Sequence, residues 1–268
     1  MNGNINKGKL EMDKGNYEKA LQFLNSVRVD DSDYKISLIF KVACLIKLGN
    51  YDDALVIINP LISEDPYSEF LWFNKVLCHV FLHEKDKAFK ALSEAERVAD
   101  ECDKNQLLFL AKMYNLLSDE SKALKYCDMA LAIDENYVDA LHEKSLVSLG
   151  LKDDELINEV ADRLLPLVEN NILSRLPIFL LKLFSKNYQD CYDLIVNTEL
   201  GDIGAEHVEM YKGAIFNHIC DDFNIDLLLV NATDLPMDEA LHILFNYIDT
   251  GNDHGSVGEI QYFILQRT

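Results

Sequence analysis

The chain has 268 residues, 49% apolar and 26% charged, a balance that excludes wholesale disorder. Its 25 Lys and Arg face 46 Asp and Glu, a formal net charge of −21, so nucleic acid and anionic membrane surfaces are not expected partners. Only 11 Gly and 5 Pro interrupt the chain, which favours long helices.

The opening stretch "MNGNINKGKLEMDKGN" contains no apolar secretory core. The most apolar run, "FLWFNKVLCHVFL" at 70–82, is 13 residues long and contains Asn74, Lys75 and His79, too short and too polar to span a bilayer. A cytoplasmic location is therefore expected. Charge is uneven along the chain: residues 1–50 carry eight basic against six acidic residues, whereas residues 201–268 carry two against twelve.

"GNYEKAL" at 15–21 returns as "GNYDDAL" at 49–55, an offset of 34 residues. The same offset takes Ala20 to Ala54 and then Ala88, and one residue of slip places Ala123 in the same setting. Leu24, Ile58, Leu92 and Cys127 follow these alanines by four residues, and Val27, Leu61, Ala95 and Ala130 follow by seven. Spacing of 0, 4 and 7 is one face of a helix. Each unit thus has a helix opening at the Tyr or its substitute. Upstream of each, residues 34–49, 68–83 and 104–118 hold about four turns free of Pro and interior Gly, and predict a first helix. The segments 59–69 and 132–140 read as short loops, with Pro66 placed to stop a helix.

Helical hairpins repeated every 34 residues cannot each bury an apolar face alone, so neighbours must stack. The alanine lets two helix backbones approach, and a Leu there would overpack the contact by roughly 1–3 kcal/mol. The chain resembles the tetratricopeptide repeat family over residues 5–136. Trp72 meets the opening site, and Leu107-x2-Leu110-Ala111-x2-Tyr114 meets the first-helix set. Gly49, Tyr51, Ala54 and Pro66 meet the second-helix set. Lys41 and Lys75 depart at the Leu site, and Val42 and Val76 at the Gly site. The resemblance implies an all-α, right-handed superhelical solenoid of about six helix-turn-helix repeats.

After residue 136 the pattern fades. Residues 137–167 fit a fifth unit with Ile157, Ala161 and Leu164 on the stripe. Residues 177–196 fit a sixth, with Asn187-Tyr188 echoing the opening motif and Cys191 at the small-residue site. The expected organisation is four clear repeats in 1–136, two divergent ones in 137–200, and an acidic helical cap in 201–268. Within that cap, 205–220 and 236–248 read as helices and 249–259 as a loop.

Candidate chemistry is sparse. A phosphate loop needs two glycines, a Lys and a hydroxyl at a strand-to-helix turn, whereas "GNY" has one Gly between two helices. His79 and His83 have the i,i+4 spacing of a metal pair beside Cys78, but His79 falls on the packing stripe and His83 on the turn-Gly site. The six cysteines form no CxxC pair, and Cys44 and Cys78, 34 apart, read as one small packing niche filled twice. Carboxylate runs at 100–103 and 153–156 sit where helices start and read as caps. No catalytic residue, cofactor or metal is expected.

The informative surface is the inner face of the first helices. In this register it comprises Ile39, Phe40 and Ala43, then Phe73, Asn74, Leu77 and Phe81, then Leu108, Phe109 and Lys112. Exposed, so apolar a face needs a cover. The candidates are a helix or extended segment of a partner protein, a second copy in a homo-oligomer, or the chain's own C-terminal helices. The expected function is a non-catalytic interaction scaffold. The family's carboxylate clamp for chaperone tails is not expected: its sites fall on Ile39, Ala43, Asn74, Asn105 and Phe109, of which only Asn74 fits.

Overall fold

The computed structural model describes residues 2–168, 172–197, 205–222 and 236–249, and every regular element among them is helical. The chain divides into two compact units, Met1–Glu135 and Asn136–Thr268. The first contains α1 (Gly3–Asp13), α2 (Tyr17–Asn25), α3 (Tyr34–Lys47), α4 (Tyr51–Glu64), α5 (Glu69–Phe81), α6 (Lys85–Val98), α7 (Lys104–Leu116) and α8 (Glu120–Ile133). The second contains α9 (Val138–Leu151), α10 (Asp154–Leu164), α11 (Ile172–Phe184), α12 (Tyr188–Val196), α13 (Ala205–Asp222) and α14 (Met237–Asp249). The expected loop at 249–259 lies outside the described residues, save for the last residue of α14.

One backbone device makes the hairpins. Gly15, Gly49, His83, Ser118, Lys152 and Lys186 all have φ between 56° and 79°, at intervals of 34, 34, 35, 34 and 34 residues. In each case the left-handed residue ends a first helix. Its N–H donates three residues back, and the next N–H donates five residues back, as in Gly49 to Ile46 (3.0 Å) and Asn50 to Leu45 (2.8 Å). The same pair joins Ser118 to Asn115 (2.9 Å) and Asp119 to Tyr114 (2.9 Å). Both carbonyls would otherwise be orphaned at the helix end, and the left-handed residue turns the chain so the second helix starts two residues later.

The stripes pack as the spacing predicts. Ala20, Ala54, Ala88, Ala123 and Cys191 are fully buried, and Ile157 nearly so. The residues four and seven further on in the first four hairpins are buried too. The first two stripes are each closed by the following first helix. Cys44 of α3 joins Ile5, Ala20, Leu24 and Val27 in one cluster, and Cys78 of α5 joins Ala54, Ile58 and Leu61 in the next. The two cysteines therefore fill one niche in successive repeats.

Two loop readings are corrected. Helix α4 runs to Glu64, through Pro60, so the connection covers only 65–68. Pro60 withholds an N–H from the Val56 carbonyl, but its ring is exposed, and buried Leu61 and Ile62 hold the last turn. Similarly, α8 extends to Ile133 and α9 begins at Val138, leaving 134–137. The sixth first helix begins at Ile172 rather than Pro177, carried past the proline by buried Ile178, Phe179, Leu181 and Leu183.

Polar residues recur in the interior four residues before the left-handed turn, as at Glu11, His79, Ser148 and Lys182. Glu11 there accepts from Lys14 (3.0 Å) and Asn16 (3.0 Å), and pairs with Lys19 (3.2 Å). Tyr114 donates to Glu96 (2.6 Å), which also takes a hydrogen bond from Tyr126 and one from Lys122 (3.2 Å). Lys182 donates to Asp162 (2.6 Å) and Asp190 (2.9 Å). Glu11, Tyr114 and Lys182 are thereby satisfied, as burial requires. In the second unit α13 packs on α12 and α14 on α13, with Lys212 bridging to Asp238 at 2.7 Å.

Candidate partner-binding groove

Helices α1, α3, α5 and α7 touch in succession, so the first helices of the first unit form one continuous layer. Rings cross its seams. Phe73 of α5 and Phe109 of α7 stack with centroids 4.3 Å apart and planes within 10°. The Lys9 ammonium lies 5.3 Å from the Phe40 centroid, between α1 and α3. Such stacked and cation–π pairs hold neighbouring hairpins in register.

The expected groove residues do not share one environment. Ile39 is 38% exposed and Phe81 50%, and Lys112 is exposed. Phe40, Ala43, Phe73, Asn74, Leu77 and Phe109 are partly buried. Leu108 is only 5% exposed and packs inward, leaving Phe109 as the outward member of that pair. The Asn74 side-chain amide donates to the Phe70 carbonyl (2.7 Å), so it is engaged by its own helix. Phe81 stacks on Tyr51 at 5.2 Å and shows its outer face to solvent.

Three exposed apolar residues of the same helices escaped the sequence reading: Ile36, Phe70 and Leu116. The turn offset is the signal that reveals them. Ile36 and Phe70 each lie thirteen residues before their left-handed residue, and Leu116 lies two before Ser118 as Phe81 lies two before His83. Within the second unit Phe184 is exposed two residues before Lys186, and Leu146 and Leu180 are exposed six residues before their left-handed residues.

Other sequence candidates resolve into structural roles. The His79 ring Nδ1 is 2.7 Å from the Glu84 carboxylate in the turn niche, and His83 is the left-handed residue of that turn. Asp103 accepts from the Asn105 N–H (2.8 Å), and Asp153 from the Leu156 N–H (3.0 Å), as helix caps do. Burial pushes the Cys44 thiol up to about 11 and the Cys78 thiol up to about 12, opposite to an activated nucleophile. Among the described residues, no helix is long and apolar enough to cross a membrane.

No known family model matches the sequence, and no curated protein matches it either. Solved structures do. A tetratricopeptide repeat protein from Parabacteroides merdae superposes with a TM-score of 0.52 at 15% identity, covering 98% of this chain and 97% of its own. MamA from Desulfovibrio magneticus RS-1, from residue 41 to its end, gives a TM-score of 0.51 at 16% identity, covering 61% of this chain and 96% of its own. At such identities the likeness speaks for the fold, and the six left-handed turns supply the same conclusion from within: the chain has the helical-repeat fold of tetratricopeptide repeat proteins.

Proposed function

We propose that the chain is a non-catalytic interaction scaffold, and that the first-helix layer of its first unit receives an apolar segment of a partner protein. The observation that carries this reading is the run of outward apolar side chains across three adjoining helices: Ile36 and Ile39, then Phe70 and Phe81, then Leu116, around the Phe73–Phe109 stack. Side chains this apolar at a regular offset mark a surface that is covered in use. The rigid aromatic pair supplies anchors that lose little entropy on binding. A helix presenting residues at i, i+3 and i+7 suits a layer of parallel helical ridges.

The test is recovery of a partner by the folded chain, wild type against Phe81→Asp plus Leu116→Asp. Both side chains are at least half exposed, so the fold should survive the change. Loss of the recovered partner, with an unchanged circular dichroism spectrum, is expected. Recovery of the same partner in the same amount contradicts the groove. Sedimentation at two concentrations separates a partner from a second copy of the chain.

A further inference from the structure

The crevice between α5 and α6 is lined by three lysines and a tryptophan. Eight residues after each left-handed turn, the second helix carries Phe23, Ile57, Ala91, Tyr126, Val160 and Leu194. Ala91 is the smallest, and a cavity of about 520 Å³ opens beside it. Its lining includes Trp72, Lys75, Lys87, Lys90 and Glu94. The sixth hairpin has a smaller crevice, about 330 Å³, at the corresponding positions, where Asp190 and Asp193 stand in place of Lys87 and Lys90. The charge of this crevice is therefore set hairpin by hairpin.

In the third hairpin the lysines outnumber their partners. Lys87 pairs with Glu84 (2.6 Å) and Glu94 with Arg97 (3.0 Å). The Lys75 ammonium lies 5.2 Å from the Trp72 ring centroid, and among the described residues no carboxylate reaches it or Lys90 within ion-pair distance. Burial lowers the Lys75 pKa, so an anion alongside would restore what desolvation takes away. Three lysines and one carboxylate line the cavity, an excess of two positive charges in a chain of net charge −21.

We propose that this crevice binds a phosphomonoester, its phosphate among Lys75, Lys87 and Lys90 and its organic part against Trp72. The group carries about −1.5 to −2 charges at neutral pH, matching the local excess. Lysine suits it as a point-charge phosphate ligand. The volume falls in the range of small-molecule sites, roughly 300–1,000 Å³. The acidic remainder of the chain opposes approach of any anion, but its field is screened over about 8 Å at physiological salt. The crevice shares no residue with the apolar groove, so the two sites stand or fall separately.

Trp72 is the chain's one tryptophan, so its fluorescence reports on the crevice alone. The full chain is titrated with phenyl phosphate, and separately with a short peptide carrying one phosphotyrosine and with its unphosphorylated form. A saturable change in Trp72 emission is expected, weakened about tenfold in exposed Lys90→Glu and in Lys75→Met, which keeps most of the apolar stem. Equal affinity for phenyl phosphate and the phosphopeptide assigns recognition to the ester group alone. Tighter binding of the phosphopeptide assigns the source to a modified partner segment. No saturation with either ester, affinities unchanged in both variants, or an unphosphorylated peptide that binds as well as the phosphorylated one overturns the proposal.

Discussion

His83, Ser118, Lys152 and Lys186 hold a conformation that costs a side chain about 1 kcal/mol, the same conformation Gly15 and Gly49 adopt freely. Replacing His83 with Gly should therefore stabilise the chain by up to about 1 kcal/mol, and Gly49→Ala should cost a similar amount, both read from denaturant midpoints. The same residues explain why the turn glycine disappears from the sequence after Gly49. The backbone keeps its left-handed turn at each interval, but the glycine that announces it is gone. Hydrogen bonds from Asn16, Lys14 and Lys19 hold the Glu11 carboxyl down at about 2 against an ordinary value of 4.5. A depressed carboxylate stabilises the fold above its unfolded value, and that contribution is lost as pH falls. Wild type should lose stability between about pH 4.5 and pH 2 by a larger margin than Glu11→Gln does, in urea melts across that range.

At the scale of the helix pair, small residues decide whether hairpins can stack. Ala54 is wholly buried in a cluster with Val42, Ile58, Leu61 and Cys78. Ala54→Leu should cost about 1–3 kcal/mol by overpacking, whereas Ala132→Leu, at an exposed position of α8, should be close to neutral. Polar ties are the second element-scale device. Burial raises the Glu96 carboxyl, but hydrogen bonds from Tyr114, Tyr126 and Lys122 outweigh it and leave the group below its ordinary range. Its side chain on α6 thereby fastens α7 and α8. Glu96→Ala should destabilise by about 1–3 kcal/mol. Tyr114→Phe and Tyr126→Phe should combine non-additively, because both hydroxyls lean on one carboxylate.

Across the whole molecule, the helix stripes were legible because burial leaves a period in sequence, at Ala20, Ala54, Ala88 and Ala123 alike. Helix ends were less so: 59–69 read as a loop and the sixth unit as opening at Pro177, yet burial of the residues that follow Pro60 and Pro177 keeps both prolines inside helices. The burial of the proposed groove residues was not legible in the sequence. Sequence spacing put Leu108 and Phe109 on the same face, and only packing shows that Leu108 turns inward while Ile36, Phe70 and Leu116 remain outside. The crevice beside Ala91 was not legible at all, since it is a space left by a missing side chain. Division into two compact units leads to one further expectation. Residues 1–135 contain their own stacked core and should melt cooperatively when expressed alone, as followed by far-UV circular dichroism.

The most direct measurement of the functional claim is amide hydrogen exchange of the full chain, free and bound to a partner recovered through it. The account predicts that protection gained on binding concentrates in α3, α5 and α7, over Ile36–Ile39, Phe70–Phe81 and Phe109–Leu116. Protection confined to the second helices α4 and α6, or to the second unit, would contradict it.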